Sequence, residues 1–198
     1  MSFHDFIRDS EGWQTTRRDL QFANPFLEVY QTETRTPSRP EGRPWTVAHR
    51  KGACVIAPRT SDGKYLLVRQ ERIPIRAAIW EFPAGQIDEK TEHDERAIRE
   101  TALRELREET GHELPEDGEL AALGYFFPSA GFTDEHSHLF LARGVIPSAS
   151  GHAHDENEVI TECRGFSREE LRAMIACNEV RDANTLSAYA RLCALGLF

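Results

Sequence analysis

Several common signals are missing from this 198-residue chain. No apolar run approaches the roughly 20 residues that a membrane-spanning helix needs. The opening Met-Ser-Phe-His-Asp-Phe has no basic segment followed by an apolar stretch, so the expectation is a soluble cytoplasmic protein without a secretory leader. Cysteine is scarce: Cys54, Cys163, Cys177 and Cys193 show no CxxC spacing, which argues against a zinc site or a disulfide framework. Their apolar neighbourhoods predict reduced, buried thiols. Positive charge is also short. With 24 Lys and Arg against 33 Asp and Glu, the formal net charge is −9, and the absence of a basic patch argues against a nucleic-acid surface. A small anionic substrate remains compatible with this charge if a cation screens it. What is present is a 39% hydrophobic composition, enough for one domain with a sizeable core plus an appendage.

The pattern along the chain divides it at about residue 50. Residues 1–24 mix polar groups with Phe3, Phe6, Ile7 and Trp13 and predict a short helix or an arm. Strands over 26–30 and 45–49, joined by a polar, proline-containing stretch over 37–44, predict a small hairpin. Residues 1–50 are thus expected to form an arm and hairpin, and 51–198 the main domain. Within the latter, strands over 53–57 and 65–69 flank an Asp62-Gly63 turn, the strongest short hairpin signal, and another strand covers 79–82. A helix over about 92–109 has Thr91 as its expected N-cap and Gly111 as its stop. Strands follow over 120–127, 138–143 and 159–163, then a helix opened by a capping box at Ser167 and Glu170, and a last helix over 182–195. Strands around helices with one strand-turn-helix unit fit an α/β sandwich.

The most informative stretch is 104–111, Arg-Glu-Leu-Arg-Glu-Glu-Thr-Gly. At about 100° per residue, Glu105, Glu108 and Glu109 fall within one quadrant of a helix, a quarter-turn from Ala102, Leu103 and Leu106. Such a charge run is, by itself, most often a solvated face. A Pro83-Ala84-Gly85 turn changes the reading, because a glycine lets backbone approach closely. It would bring the Ala84 carbonyl to the acidic face, and carboxylates plus a carbonyl are the hard oxygen donors that Mg²⁺ or Mn²⁺ prefers.

Gly85, Arg104, Glu105, Leu106, Glu108, Glu109 and Gly111 together resemble the signature of the Nudix hydrolases. The resemblance has two departures. Eighteen residues, 86–103, separate Gly85 from Arg104, five more than the usual box, which leaves its first glutamate open between Glu92 and Glu95. His112 also stands where an apolar residue is usual. The resemblance implies a Nudix-type α/β/α sandwich with a mixed sheet, and a Mg²⁺ (or Mn²⁺) site made by Ala84, Glu105, Glu108 and Glu109.

Further segments are similar to the ADP-ribose pyrophosphatases and related nucleotide-sugar hydrolases within that family. The loop 128–138 is similar to their Gly-Phe-Thr-Asp-Glu stretch, which makes Glu135 the implied base, with a box glutamate as the alternative. The implied catalytic set is Glu135, Glu108 and Arg104, the last orienting the glutamates. Residues 68–72 and 80–85 are similar to substrate-binding segments. They imply that Arg69 and Arg72 face the diphosphate or ribose, and that Glu81 accepts from substrate hydroxyls or the base. For Arg69 and Arg72 the plain alternative is a solvated strand end, and His136 and His138 read as surface or sheet-flanking imidazoles. The resemblance further implies a homodimer built through the N-terminal sheet, with Trp45 or Phe26 stacking on a base, and a small nucleoside diphosphate derivative as substrate. Rival readings are hydrolysis of a nucleoside triphosphate or dinucleotide, and a non-catalytic ADP-ribose-binding module.

Overall fold

The computed structural model describes residues 11–88, 94–149 and 159–198. The chain begins with a three-stranded antiparallel sheet, β1 (Gln14–Asn24), β2 (Leu27–Thr36) and β3 (Arg39–His49), in that order. The expected hairpin forms as β2 and β3, and β1 adds a third strand to it. Residues 14–24, expected as a helix or arm, form a full strand that pairs with β2 from Gln14↔Arg35 to Asn24↔Leu27. The turn between them is Pro25-Phe26, and Phe26 N–H donates to Asn24 Oδ1 at 2.8 Å, a side-chain mimic of a backbone turn. The strand was hard to read because its apolar residues Leu20 and Phe22 face outward, so no buried alternation marks it.

The main sheet contains β4 (Ala53–Thr60), β5 (Tyr65–Arg72), β6 (Ala77–Glu81), β7 (Ala84–Gln86), β8 (His112–Glu113), β9 (Glu119–Phe126), β10 (Ser137–Pro147) and β11 (Ile160–Phe166). Its central path runs β11-β5-β4-β10-β8, with β6 on β5, β7 on β4 and β9 on β10. Strands β4 and β10 pair parallel and the other pairs are antiparallel, so the sheet is mixed as expected. The Asp62-Gly63 turn closes with Thr60 N–H donating to Lys64 O at 2.9 Å.

Among the described residues three α-helices cover the sheet: α1 (Glu95–Thr110), α2 (Arg168–Ala176) and α3 (Ala183–Ala194). Because successive strand residues point to opposite faces, β4 and β10 feed two cores. Cys54, Ile56, Phe140 and Ala142 pack with Ile98, Ala102 and Leu106 of α1. Val55, Ala57, Leu139 and Leu141 pack with Leu171 of α2 and Ala188 and Leu192 of α3. A strand buried on both faces reads as a continuous apolar run, as Cys54-Val55-Ile56-Ala57 does.

The N-cap of α1 is Asp94, whose carboxylate accepts from Arg96 N–H at 3.0 Å. The expected cap Thr91 and the helix start at Glu92 lie outside the described residues. Gly111 ends the helix at φ 66°, the left-handed conformation that glycine adopts without penalty. The capping box at Ser167 and Glu170 forms as expected, and Asp182 caps α3. The four cysteines are free, but only Cys54 is buried; Cys177 and Cys193 are exposed, which corrects the expectation of buried thiols. No helix among the described residues is long and apolar enough to cross a membrane.

One buried hydrogen bond ties α3 to the turn that leads into the acidic helix. The fully buried Thr185 hydroxyl accepts from Phe82 N–H at 2.8 Å and lies 2.8 Å from Asp182 Oδ2. Thr185→Val keeps the shape but orphans the Phe82 N–H, a loss expected to cost about 1–3 kcal/mol. Urea unfolding of the two proteins measures it.

Candidate active site

A cleft of about 900 Å³ opens where the N-terminal turn, the end of β5, β7, α1, the 127–136 loop and the start of α3 converge. Its walls include Glu105, Glu108 and Glu109 together with Ala84, Gly85 and Glu135. The acidic face of α1 is not the solvated surface that a bare charge run implies: Glu105 is 6% and Glu109 2% exposed.

Close approach of the turn creates this burial. A Cβ on Gly85 would overlap the Glu105 carboxylate, so only glycine fits, and Ala84 N–H donates to Glu109 Oε2 at 3.3 Å. Arg104 lies across the face, with Nη2 at 2.5 Å from Glu105 Oε1 and Nη1 at 2.5 Å from Glu108 Oε2. Partial burial works against the Arg104 charge, but Glu105 and Glu108 outweigh it and raise its pKa. Arg104 thus spans Glu105 and Glu108. The negative field reaches two thiols. Burial first, then chiefly Glu105, pushes Cys54 up to about 12, and burial with Glu109 pushes Cys163 up to about 11. Thiols held protonated are poor nucleophiles.

Arg72 and Glu81 both line the cleft, but they hold each other. Arg72 Nε lies 2.9 Å from Glu81 Oε1, and Nη2 lies 2.5 Å from Oε2. Glu81 is 1% exposed, and its hydrogen bonds raise the Arg72 pKa despite burial. Glu81 therefore braces Arg72 before it can serve any substrate hydroxyl. Arg69 is not brought to the cleft. It stands three residues from Arg72 on one strand, and an odd separation sends the two side chains to opposite faces.

Phe26 lines the cleft, whereas Trp45 does not; its indole N–H donates to Gly131 O at 2.9 Å. Glu95, one of the two readings for the first box glutamate, is exposed and pairs with Arg99 at 3.0 Å. Glu92, the other, lies outside the described residues.

Glu135 projects from the 127–136 loop, with Oε1 at 2.9 Å from Arg50 Nη1. Burial raises its pKa and Arg50 opposes that shift. Sequence reasoning missed Arg50 and Arg181, which also line the cleft. No local motif marks them, although Arg50 directly follows the expected strand 45–49. His136 directly precedes β10 and is 2% exposed, so of the two expected placements it takes the sheet-flanking one and not the surface one, and a Cβ on Gly52 would come within 2.6 Å of its Nε2. His138 is half-buried, and burial holds its pKa below the usual value.

The residues present fit a hard divalent cation in donor chemistry, since the side chains of Glu105, Glu108 and Glu109 offer only oxygens. Among the described residues no three carboxylate, imidazole or thiolate groups are clasped around one point, and Arg104 instead spans Glu105 and Glu108. The close packing of Gly85 on Glu105 is the observation that favours the fit.

A family model described as NUDIX domain matches residues 48–189. The chain is 33% identical over 177 residues to the ADP-ribose pyrophosphatase of Bacillus subtilis, covering 89% of each protein. It is 32% identical to the methanol dehydrogenase activator of Bacillus methanolicus, covering 88% of this chain and 89% of that protein. A solved structure described as an ADP compounds hydrolase superposes with a TM-score of 0.74 at 16% identity, covering 97% of this chain and all of the other. At that identity it shows the shared fold.

The raised Glu135 pKa has a stability signature. The folded chain holds this proton more tightly than the unfolded chain, so the contribution is fully present below the ordinary carboxylate pKa. It is lost as the pH rises through the raised folded value. Glu135→Gln is neutral throughout and is therefore expected to gain stability over the parent as the pH rises from acidic to neutral. Thermal unfolding of both proteins along a pH series checks the sign.

Proposed function

The chain belongs to the NUDIX family of hydrolases, and from that premise we propose that it hydrolyses the diphosphate bond of a nucleoside diphosphate derivative, with ADP-ribose the favoured substrate. The observation that carries this reading is the gathering of Glu105, Glu108, Glu109, Glu135 and Arg72 on one cleft. The ADP-ribose pyrophosphatase among the relatives, matched along nearly its whole length, supports the substrate class.

Glu105, Glu108, Glu109 and the Ala84 carbonyl would hold a divalent cation, Mg²⁺ or Mn²⁺ by donor type. When bound, that cation neutralises diphosphate charge and lowers the pKa of a coordinated water. Arg104 keeps Glu105 and Glu108 aligned for this task. Glu135, with its pKa raised towards neutrality by burial, takes the proton of the attacking water; a base works best when its pKa lies near the operating pH. Arg72, whose Nε and Nη2 are held by Glu81, presents the other edge of its planar guanidinium to the phosphate oxygens. Phe26, with Pro74, Ile75 and Ile79 at the same cleft, offers apolar area for a base. Phosphoryl transfer depends chiefly on positioning and charge stabilisation, so no nucleophilic side chain is required, and the shifted thiols agree.

The N-terminal sheet leaves Leu20, Phe22 and Phe26 more than half exposed. Contiguous apolar exposure of this kind marks an interaction surface, and a homodimer through this sheet is the reading it supports. Light scattering is expected to return twice the chain mass; a monomer mass would reject the dimer.

The activity is tested with purified chain and Mg²⁺ on ADP-ribose, ADP-glucose, GDP-mannose, NADH and deoxynucleoside triphosphates. The highest kcat/KM is expected for ADP-ribose, and turnover of triphosphates alone would overturn the substrate assignment. Glu109→Gln keeps an acceptor for Ala84 N–H but loses the charge; it is expected to lower kcat by orders of magnitude with the fold retained by circular dichroism.

A further inference from the structure

The loop that carries Glu135 into the cleft lies beyond the ladder of its flanking strands, since β9 and β10 pair only from Phe126↔Ser137 outward. Its internal bonds are few: Phe132 N–H and Thr133 N–H reach Ser129 O at 3.2 and 3.3 Å, and Glu135 N–H donates to Thr133 Oγ1 at 3.0 Å. Its firmer anchors come from the N-terminal sheet, which runs beside it. Trp45 Nε1–H donates to Gly131 O at 2.9 Å and Ala48 N–H to Phe132 O at 2.8 Å. Ala48 and Thr133 form a parallel bridge, and Arg50 N–H reaches Asp134 Oδ1 at 3.3 Å.

At the centre of this seam His49 Nδ1 and Asp134 Oδ2 form a hydrogen-bonded pair. A carboxylate only accepts, so the ring nitrogen donates. Of the anchors, this is the side-chain pair with both partners buried, at 7% and 8% exposure. The His49 ring rests edge-on against Tyr30 at 5.1 Å, and Arg18 lies 3.9 Å over the Tyr30 ring, so all three strands of the N-terminal sheet stand behind the contact. Asp134 precedes Glu135 directly. Its side chain turns to His49, whereas that of Glu135 lines the cleft.

We infer that His49 is a positioning residue for hydrolysis: through Asp134 it fixes the loop so that the Glu135 carboxylate enters the cleft, which makes the N-terminal sheet part of the active site. This rests on the reading of Glu135 as the proton acceptor. The role is expected to appear in turnover rather than in substrate affinity, because a displaced base lowers the chemical step and leaves the diphosphate contacts in place.

The test compares the full chain with His49→Ala, His49→Asn and Glu135→Gln for Mg²⁺-dependent hydrolysis of ADP-ribose, with hydrogen exchange of 127–136 measured in parallel. His49→Ala is expected to lower kcat by about 10- to 100-fold, the scale of a small misplacement of a reacting group. KM should stay within about twofold, since the lost interaction belongs to the transition state. Exchange should rise in 127–136 and not in 95–110. His49→Asn, whose amide donates near the place of Nδ1–H, should restore most of the rate. If the alanine variant does not fold, His49→Leu fills the space without a donor and carries the same test.

A normal kcat in the alanine or leucine variant, beside an impaired Glu135→Gln, overturns the positioning role alone. A normal rate in Glu135→Gln overturns the reading of Glu135 and the proposal with it. Exchange that rises equally across the chain, with asparagine no better than alanine, reduces His49 to a structural part and also overturns the proposal. If ADP-ribose is not turned over at all, unchanged exchange in 127–136 of His49→Ala still rejects it.

Discussion

Glu81, Glu105 and Glu109 are carboxylates with almost no exposure in the wall of one cleft, and the local structure answers what their burial costs. Removing an ion from water carries an effective penalty of several kcal/mol even after relaxation. Arg72 meets Glu81 with a fork of hydrogen bonds, Arg104 meets Glu105 and reaches on to Glu108, and the Ala84 N–H reaches Glu109. The Cys54 and Cys163 thiols are pushed upward chiefly by burial, with Glu105 and Glu109 adding to it. So much negative charge in one cleft agrees with the cation site proposed for it, and a diphosphate would enter a −9 protein on the same terms.

The fold supplies rigidity from three directions. Strand β4 packs against α1 on one face and against α2 and α3 on the other, so the turn at Gly85, paired to Cys54, has little freedom to retreat from Glu105. Thr185 pins that turn from α3 by holding the Phe82 N–H. The N-terminal sheet closes the third side, contributing Phe26 to the cleft and holding the loop of Glu135 along a seam of parallel contacts. Catalytic geometry of the kind proposed is held best by elements whose own positions are locked by packing.

The sequence carried the central helix and its acidic face well, because three glutamates in one quadrant and a glycine-bearing turn are local patterns. The α/β sandwich was legible for the same reason, with strands buried on both faces reading as apolar runs. What escaped is non-local or inverted. Strand β1 shows its apolar residues to the outside, so no alternation announced it. The burial of Glu105 and Glu109 comes from contact with a turn about twenty residues away in sequence, which helical periodicity alone cannot reveal. Arg69 and Arg72 looked equivalent as cations, yet strand parity sends only Arg72 to the cleft. His49 and Asp134 lie 85 residues apart, and although Asp134 stands in the Gly-Phe-Thr-Asp-Glu stretch nothing local marks His49 as its partner, so their pairing emerges only when β3 is laid beside the loop.

The claim on which the account turns is that the acidic face of α1 is a divalent-cation site. Titration of the full chain with Mn²⁺, followed by electron paramagnetic resonance, tests it without reference to any substrate. The account predicts saturable binding to the parent chain and markedly weaker binding to a folded Glu105→Gln variant. Equal affinity in the two proteins, or no binding to the parent chain, would contradict it.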